Sequence, residues 1–266
     1  MITVTKKNLE TTIGDLSIHY RKGNPTLIFL SGIGSFPTFE NFSAIIKPLP
    51  KNFGILTLDY PNIGESSLKN QRELTLVDWI EAIELVLDSL QVENYILITH
   101  SIAGMLGLRL MTKRLGCKGF IGIEPSTIAI LTGIIDYPQE FGRVNQIISE
   151  IGVRNYLQGI SRQGLNEIEN KALWDAFDRT EKRLSTIAES DFAAFTDLNK
   201  SDFASQPSIP KDIPSFVFSQ AFRREEYEAS EYQNREGRYH LYLTGDHHYL
   251  HWTESEAILK VIKSVV

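Results

Sequence analysis

The stretch YILITHSIAGML, residues 95 to 106, joins two patterns of secondary structure within a short space. Its first residues, Tyr95 to Ile98, are apolar and rich in β-formers, which is typical of a buried strand. Small and apolar residues follow from Ile102 onward, as in a packed helix. Ser101 therefore lies at a sharp strand-to-helix turn. A turn of this kind raises a serine hydroxyl above the edge of a sheet, beside the N-terminus of the following helix.

Strands and helices alternate on both sides of this turn. Before it we predict a hairpin over residues 1–22, a strand in PTLIFL, a helix in FENFSAIIKPLP, a strand and loop in NFGILTLDYPNIGESS and a helix in LTLVDWIEAIELVLDSLQ. After it come the helix IAGMLGLRLMTKRLG and the strand GFIGIE. This alternation predicts an α/β protein with a doubly wound, mostly parallel sheet. The loops SGIGS, DYPNIGESS, THS and IEPS should then gather at one edge of the sheet, where ligands bind.

The alternation stops between residues 126 and 212. Helical patterns dominate there, in FGRVNQIISEIGVRNYLQG, LNEIENKALWDAFDRTEKRLSTIAES and DFAAFTDLNK. The rhythm returns with the strand IPSFVFSQ, the helix REEYEASEYQ, the strand GRYHLYLTG and the helix WTESEAILKVIKSV. We expect one α/β core formed by residues 1–125 and 213–266, with residues 126–212 as an α-helical insertion.

Charge and composition exclude several classes of protein. The net charge is −6 with a pI near 5.6, and no basic patch predicts nucleic-acid binding. The pair Arg223-Arg224 is followed by acidic residues, which is typical of a solvated helix face. Cys117 is the only cysteine, so an intrachain disulfide is excluded and a reducing compartment is favoured. With no signal peptide and no apolar run of membrane-spanning length, we expect a soluble cytoplasmic protein without a membrane partner.

Two interpretations of Ser101 fit the short pattern around it. The serine could cap the helix, or its hydroxyl could serve as a nucleophile beside the N–H of Ile102. The glycine-rich loop FLSGIGS would bring a second backbone donor, the N–H of Ile33, to the same place. Ala103 provides the small residue that a tight turn needs. Thr99 departs from that rule, since it is β-branched where glycine is usual.

A histidine-rich loop, LTGDHHYLHW, follows the last predicted strand. A histidine there can reach back over the sheet edge toward Ser101. His247 and His248 are adjacent, and His251 follows three residues after His248. A zinc site is the weaker interpretation because no Cys or Glu falls at metal-ligand spacing on a helix. We therefore expect neither a metal nor another cofactor.

The segments FLSGIGS, LDYPNIGESS, THSIAGM and GDHHYLHW, in this order, resemble the α/β-hydrolase family over nearly the whole chain. The resemblance implies that Ser101 is the nucleophile and His248 its base, with His247 as the alternative base. It implies that the N–H groups of Ile33 and Ile102 form an oxyanion hole. It also implies that the insertion is a cap domain over the site.

The acid of the implied catalytic triad has two candidate places. The commonest place in the family is the loop after IPSFVFSQ, but the chain reads AFRREEYE there, and Glu225 and Glu226 come slightly late. The other place is the end of the strand after the nucleophile helix. Glu124 stands there, 124 − 101 = 23 residues after the serine. We expect Glu124 to be the acid and keep Glu225 and Glu226 as alternatives.

The nucleophile narrows the reaction class. Haloalkane dehalogenases are similar in carrying a Glu at the same strand end, but they use Asp as the nucleophile, whereas a serine suits acyl transfer. We expect a carboxylesterase-like serine hydrolase that cleaves a small carboxylic ester through an acyl-enzyme. An amide, a lactone or a carbon–carbon bond could be cleaved on the same triad, and a non-catalytic sensor of a small ligand is a further alternative. Aromatic side chains of the insertion could line a substrate pocket or form the insertion's own core: Trp174, Phe177, Phe192 and Phe195.

Overall fold

An eight-stranded sheet forms the centre of the computed structural model, which describes residues 4–69, 74–136, 138–187 and 208–265. The strands are β1 Thr5–Glu10, β2 Asp15–Arg21, β3 Thr26–Leu30, β4 Gly54–Leu58, β5 Tyr95–His100, β6 Cys117–Ile123, β7 Ser215–Ser219 and β8 Tyr239–Leu243. Their order in the sheet is β1-β2-β4-β3-β5-β6-β7-β8. The pairs β1–β2 and β2–β4 are antiparallel, and all pairs from β4 to β8 are parallel. The predicted doubly wound, mostly parallel sheet is confirmed.

Helices follow most of the strands. They are α1 Thr38–Asn41, α2 Ser43–Ile46, α3 Leu76–Ser89, α4 Ala103–Lys113, α5 Ile128–Leu131, α6 Gln139–Ile151, α7 Val153–Gly164, α8 Glu167–Leu184, α9 Arg224–Glu228, α10 Leu250–Thr253 and α11 Ser255–Ser264. A 3₁₀ turn, Ala221–Arg223, precedes α9. Within the described ranges no helix is both long and apolar enough to cross a lipid bilayer.

Both faces of the sheet are covered by apolar side chains. Along β3, Leu27 and Phe29 belong to the core on one face, while Ile28 and Leu30 belong to the core on the other. This alternation is the period-two geometry of a strand that is buried on both sides. Helices α3 and α4 contribute to the second face, and α2 and α11 contribute to the first. The continuous apolar runs of the sequence are therefore explained by burial on two sides.

Helix α3 shows how local sequence sets an element's limits. Thr75 caps its N-terminus: the Thr75 hydroxyl accepts a hydrogen bond from the N–H of Asp78, and the Asp78 carboxylate accepts one from the N–H of Thr75. This reciprocal capping satisfies two N–H groups that would otherwise lack a partner. Leu76, Ile80 and Ile83 lie one helical turn apart and are all buried. The helix predicted from LTLVDWIEAIELVLDSLQ is thus present.

Between β6 and β7 the described residues, which leave out 137 and 188–207, form four helices, α5 to α8. Gly152, with φ at 81°, separates α6 from α7, a backbone conformation that glycine adopts without steric cost. Asn166 caps α8 by accepting a hydrogen bond from the N–H of Glu169 at 2.9 Å. The third predicted helical segment, DFAAFTDLNK, lies outside the described residues.

A third apolar cluster joins these inserted helices to the core. It contains Leu157 and Ile160 of α7, Trp174 of α8, and Phe36 and Trp252 of the core. The ring of Phe36 meets those of Trp174 and Trp252, each with centroids 5.4 Å apart. The insertion is therefore fixed to the core beside the loop that follows β3.

Two predicted helices are interrupted. The segment FENFSAIIKPLP forms α1 and α2, with a break at Phe42, where φ is −102° and ψ is 14°. The segment WTESEAILKVIKSV forms α10 and α11, with a break at Glu254. The predicted helix REEYEASEYQ ends early, at Glu228.

Candidate functional site

Ser101 lies where β5 ends and α4 begins, in a left-handed conformation with φ at 57°. This conformation is rare for a residue other than glycine and costs roughly 1–3 kcal/mol. Two backbone hydrogen bonds hold it in place. The N–H of Ser101 donates to the carbonyl of Ile123 at 3.1 Å, and its own carbonyl accepts from the N–H of Ser126 at 3.0 Å. The expected sharp turn is present, and β6 with its following loop holds it.

Thr99 fits the turn because space is provided opposite it. Its side chain is fully buried, and Gly107 of α4 faces it. A Cβ added at Gly107 would lie 3.1 Å from the Cγ2 methyl of Thr99. Because Gly107 has no side chain, it leaves room for the Thr99 methyl, and the turn can form without a glycine at position 99.

The loop after β3 approaches Ser101 closely. A Cβ added at Gly32 would lie 2.8 Å from the Cβ of Ser101 and 3.0 Å from Nδ1 of His100, so only glycine fits. The next residue, Ile33, has a side chain that is 61% exposed. Among the described residues, neither Ile33 nor Ile102 donates its N–H to a turn, loop or cap carbonyl. Both candidate oxyanion donors thus belong to segments next to Ser101.

His248 lies in the loop between β8 and α10. Its Nδ1 is 3.5 Å from Oε2 of Glu124, and about a third of its side chain is exposed. The backbone carbonyl of His248 accepts a hydrogen bond from Nε2 of His100 at 3.0 Å. His100, the residue before the serine, therefore anchors the loop that carries the candidate base.

The alternative base, His247, is engaged elsewhere. It is 5% exposed; its Nδ1 accepts the N–H of Tyr249 and its Nε2 pairs with the hydroxyl of Thr253, both at 3.1 Å. Burial lowers its pKa. Among the described residues, no group of three or more His, Cys, Asp or Glu side chains is placed to hold a metal ion.

Glu124 follows β6 and is fully buried, with φ at 46°. Its Oε1 accepts the hydroxyl of Ser219 and the N–H of Gln220, both at 2.7 Å. Its Oε2 accepts the amide of Gln220 at 3.1 Å and Nη1 of Arg223 at 2.8 Å, and it faces His248. Burial alone would raise the pKa of this carboxyl, but the hydrogen bond to His248 and the charge of Arg223 hold it well below its ordinary value.

The alternative acids do not contact His248. Glu225 is exposed on α9. Glu226 forms a two-point ion pair with Arg223, at 2.6 and 2.8 Å, and accepts the hydroxyl of Thr127 at 2.6 Å. Of the three acidic candidates, the structure brings Glu124 next to His248.

The prediction that Arg223 lies on a solvated face is wrong. Its side chain is 3% exposed and sits between the carboxylates of Glu124 and Glu226, whereas Arg224 is exposed as expected. Sequence reasoning also missed Gln220, which supplies two donors to Glu124. The signal for Gln220 was its place directly after the strand IPSFVFS, at the carboxyl edge of the sheet.

Of the four aromatic residues that we singled out in the insertion, the structure describes two, Trp174 and Phe177. Trp174 and Phe177 pack against Phe36, and the Trp174 indole donates to the hydroxyl of Ser161 at 3.0 Å. They therefore form part of the joint between insertion and core. Phe192 and Phe195 lie outside the described residues.

Comparison with known proteins identifies the family of the fold. The sequence profile of the alpha/beta hydrolase fold matches residues 25–151. The crystal structure of Smu.1393c from the cariogenic pathogen Streptococcus mutans is 36% identical, with a TM-score of 0.90 over 99% of this chain and 97% of that one. No curated protein is similar enough in sequence to count as a match.

More distant structures share the fold alone. The epoxide hydrolase CorEH is 10% identical, with a TM-score of 0.71 over 99% of this chain and 98% of its own. A thermophilic esterase from Thermogutta terrifontis is 15% identical, with a TM-score of 0.61 over 98% and 97%. The sheet order, the strained serine after β5 and the relative that matches along nearly its whole length lead to one conclusion: this chain belongs to the α/β-hydrolase fold superfamily.

Proposed function

We propose that this protein is a serine hydrolase that cleaves a small carboxylic ester through an acyl-enzyme. The observation that carries the proposal is the contact between His248 and the buried carboxylate of Glu124, at the sheet edge where Ser101 sits in its strained turn. A serine, an acid and a histidine in this chain order are the parts that acyl transfer uses in the α/β-hydrolase pattern.

Each proposed step has a named group. Ser101 Oγ attacks the ester carbonyl carbon while Nε2 of His248 takes its proton. Glu124 accepts the Nδ1–H of His248, which fixes the tautomer and stabilises the imidazolium. The N–H groups of Ile33 and Ile102 bind the oxyanion. His248 then protonates the leaving alcohol, and a water activated by the same histidine hydrolyses the acyl-enzyme.

The insertion, residues 126–212, is proposed to act as a cap that selects substrates for the core of residues 1–125 and 213–266. A cleft of about 390 Å³ separates α6 from the loops that carry Gln220 and Asp246. It is lined in part by Phe141 and Phe222. Ser101, Glu124 and His248 are not among its lining residues, so this cleft lies beside the proposed catalytic groups and does not enclose them. The acidic net charge argues against nucleic acid, and the single cysteine supports action in the cytoplasm.

A fluorescent fluorophosphonate tests the nucleophile, because it reacts with a serine only when a neighbouring base activates it. We expect rapid labelling of the wild type and none at Ser101→Ala. Ser264→Ala, which changes a serine at the far end of α11, is the matched control and should label like the wild type. Glu124→Gln should slow labelling by at least about 100-fold, since the histidine loses its acceptor.

An ester panel follows from a positive result and defines the acyl and alcohol groups. Absence of labelling in the folded wild type would refute the proposal and favour a protein that senses a small ligand. An unchanged rate in Glu124→Gln would refute the assignment of the acid.

A further inference from the structure

We infer that Arg223 and Glu226 are positioning residues that act through Glu124. They set how strongly the Glu124 carboxylate stabilises a positive charge on His248. The inference rests on the proposed function and extends it to two residues outside the triad. The two carboxylates that the sequence offered as alternative acids, Glu124 and Glu226, are joined by one buried guanidinium.

The geometry places a positive charge on the oxygen that faces the histidine. Arg223 Nη1 donates to Oε2 of Glu124 at 2.8 Å, and Nδ1 of His248 lies 3.5 Å from the same oxygen. Arg223 therefore shares with His248 the negative charge that would stabilise an imidazolium. An acid that is held only by neutral donors would present its full charge to the histidine.

Glu226 opposes this effect from the far side of the guanidinium. It receives two hydrogen bonds from Arg223, one from Nε at 2.8 Å and one from Nη2 at 2.6 Å. Glu124, Arg223 and Glu226 together form a row of three charges. All three side chains of the row are nearly inaccessible to water, with exposures of 0% for Glu124, 3% for Arg223 and 5% for Glu226. Because screening by solvent is weak there, each charge acts on its neighbours over several ångströms.

Other titratable groups near His248 do not replace this row. Burial lowers the pKa values of His100 and His251 well below their ordinary values, so both remain neutral. Burial also raises the pKa of Tyr249 to about 12, so this phenol stays neutral. The titratable and charged groups on the side of His248 come from several elements. Its own loop contributes Asp246, His247 and Tyr249, while β5 contributes His100 and α10 contributes His251. Glu124 follows β6, and behind it lie Arg223 of the 3₁₀ turn and Glu226 of α9.

Three variants of the row test the inference through the order of their effects. Arg223→Met removes the positive charge and keeps the apolar stem, so imidazolium formation at His248 should persist to higher pH. Glu226→Gln removes one of the two negative charges beside Arg223, so the same event should move to lower pH. The double variant Arg223→Met/Glu226→Gln should fall between the wild type and Arg223→Met. We expect displacements of about 0.5 to 1 pH unit.

The measurement is an NMR titration of the His248 imidazole, with its signal assigned by loss in His248→Gln. The pH dependence of the fluorophosphonate labelling rate gives a second readout. Arg223→Lys keeps the charge and should titrate like the wild type. Arg224→Met is the matched control, because it makes the same change at the adjacent, 60% exposed arginine, and it should shift nothing.

Opposite shifts in Arg223→Met and Glu226→Gln would support the inference. Identical titrations in all folded variants, or shifts in one direction only, would overturn it and leave the row a purely structural feature. If Arg223→Met does not fold, Glu226→Gln and the double variant still decide the sign. A failure of the wild type to react with fluorophosphonate would refute the proposed function, while the NMR titration would still test the charge row.

Discussion

At the scale of single residues, the candidate site is built from side chains in unusual conformations or surroundings. Ser101 and Glu124 both have positive φ, and both follow strands at the carboxyl edge of the sheet. Gly32 leaves no room for a side chain beside the serine. Such positions cost stability, and the hydrogen bonds and packing around them hold them. Several strained residues lie together at the carboxyl edge of the sheet, and this supports a functional role for that edge.

Thr99 carries a testable cost of its own. Within the described part of the chain its hydroxyl is buried without a hydrogen-bond partner, and its Cγ2 methyl would lie 3.1 Å from a Cβ added at Gly107. We expect Thr99→Val to raise the free energy of unfolding by about 1 kcal/mol, because valine keeps the shape and removes the unpaired polar group. Urea denaturation measures the change.

The matched control is Thr38→Val, where the hydroxyl donates to the carbonyl of Leu58 at 2.6 Å. The same substitution there should lower the free energy of unfolding by about 1 to 3 kcal/mol. A loss of stability at both positions would show that the Thr99 hydroxyl has a partner in solution, such as a bound water.

At the scale of secondary-structure elements, apolar periodicity predicted strands and long helices well. Strands β3 and β5 are apolar on both faces, and α3 keeps its helical spacing and its cap. The pattern could not show where packing breaks a helix. The helical pattern of FENFSAIIKPLP is interrupted at Phe42, whose ring packs against Phe29 and His251 at centroid distances of 5.3 and 4.8 Å.

The candidate site was predictable to the same degree. Ser101 and Glu124 directly follow strands, and His248 lies in the loop after the last strand, so their place along the chain pointed to the sheet edge. Arg223 was not predictable, because charge patterning alone puts an arginine in water. Its burial depends on two carboxylates, of which Glu124 is distant in sequence.

Helix α7 offers a prediction about the insertion. Gly159 lies in the middle of this helix and is exposed, and a Cβ added there would have no described residue within 4 Å. Gly159→Ala should raise the free energy of unfolding by about 0.5–1 kcal/mol, because alanine has less backbone freedom to lose. Thermal or urea denaturation of the purified variant provides the test.

Gly164, at the end of the same helix, is the contrasting control. A Cβ there would lie 2.0 Å from the carbonyl oxygen of Trp252, so Gly164→Ala should destabilise the protein. Equal effects at the two glycines would contradict the packing described for α7.

At the scale of the whole molecule, one carboxyl links stability to pH. Asp59 follows β4 and is 2% exposed, and it accepts the N–H of Thr38 at 2.7 Å. Burial raises its pKa from 3.8 to about 7. The folded chain therefore binds more protons than the unfolded chain between these values, and stability from this group falls as pH rises through that window.

We expect Asp59→Asn to weaken this decline. One unit of pKa corresponds to about 1.4 kcal/mol, so the variant should gain at least that much over the wild type at pH 8 relative to pH 4. Urea denaturation at both pH values gives the difference. A gain that is the same at pH 4 and pH 8 would show that Asp59 ionises in the folded protein as it does in water.

The hydrogen bond from His100 to the carbonyl of His248 has a consequence for engineering. The side chain next to the proposed nucleophile in sequence also supports the loop that carries the proposed base. Ser101 and the loop of His248 are therefore both attached to the end of β5, and we expect a change at His100 to displace His248 relative to Ser101. A design that transfers Ser101 and His248 to another scaffold should therefore also transfer His100, because His100 connects the strand end before the serine to the loop that carries the histidine.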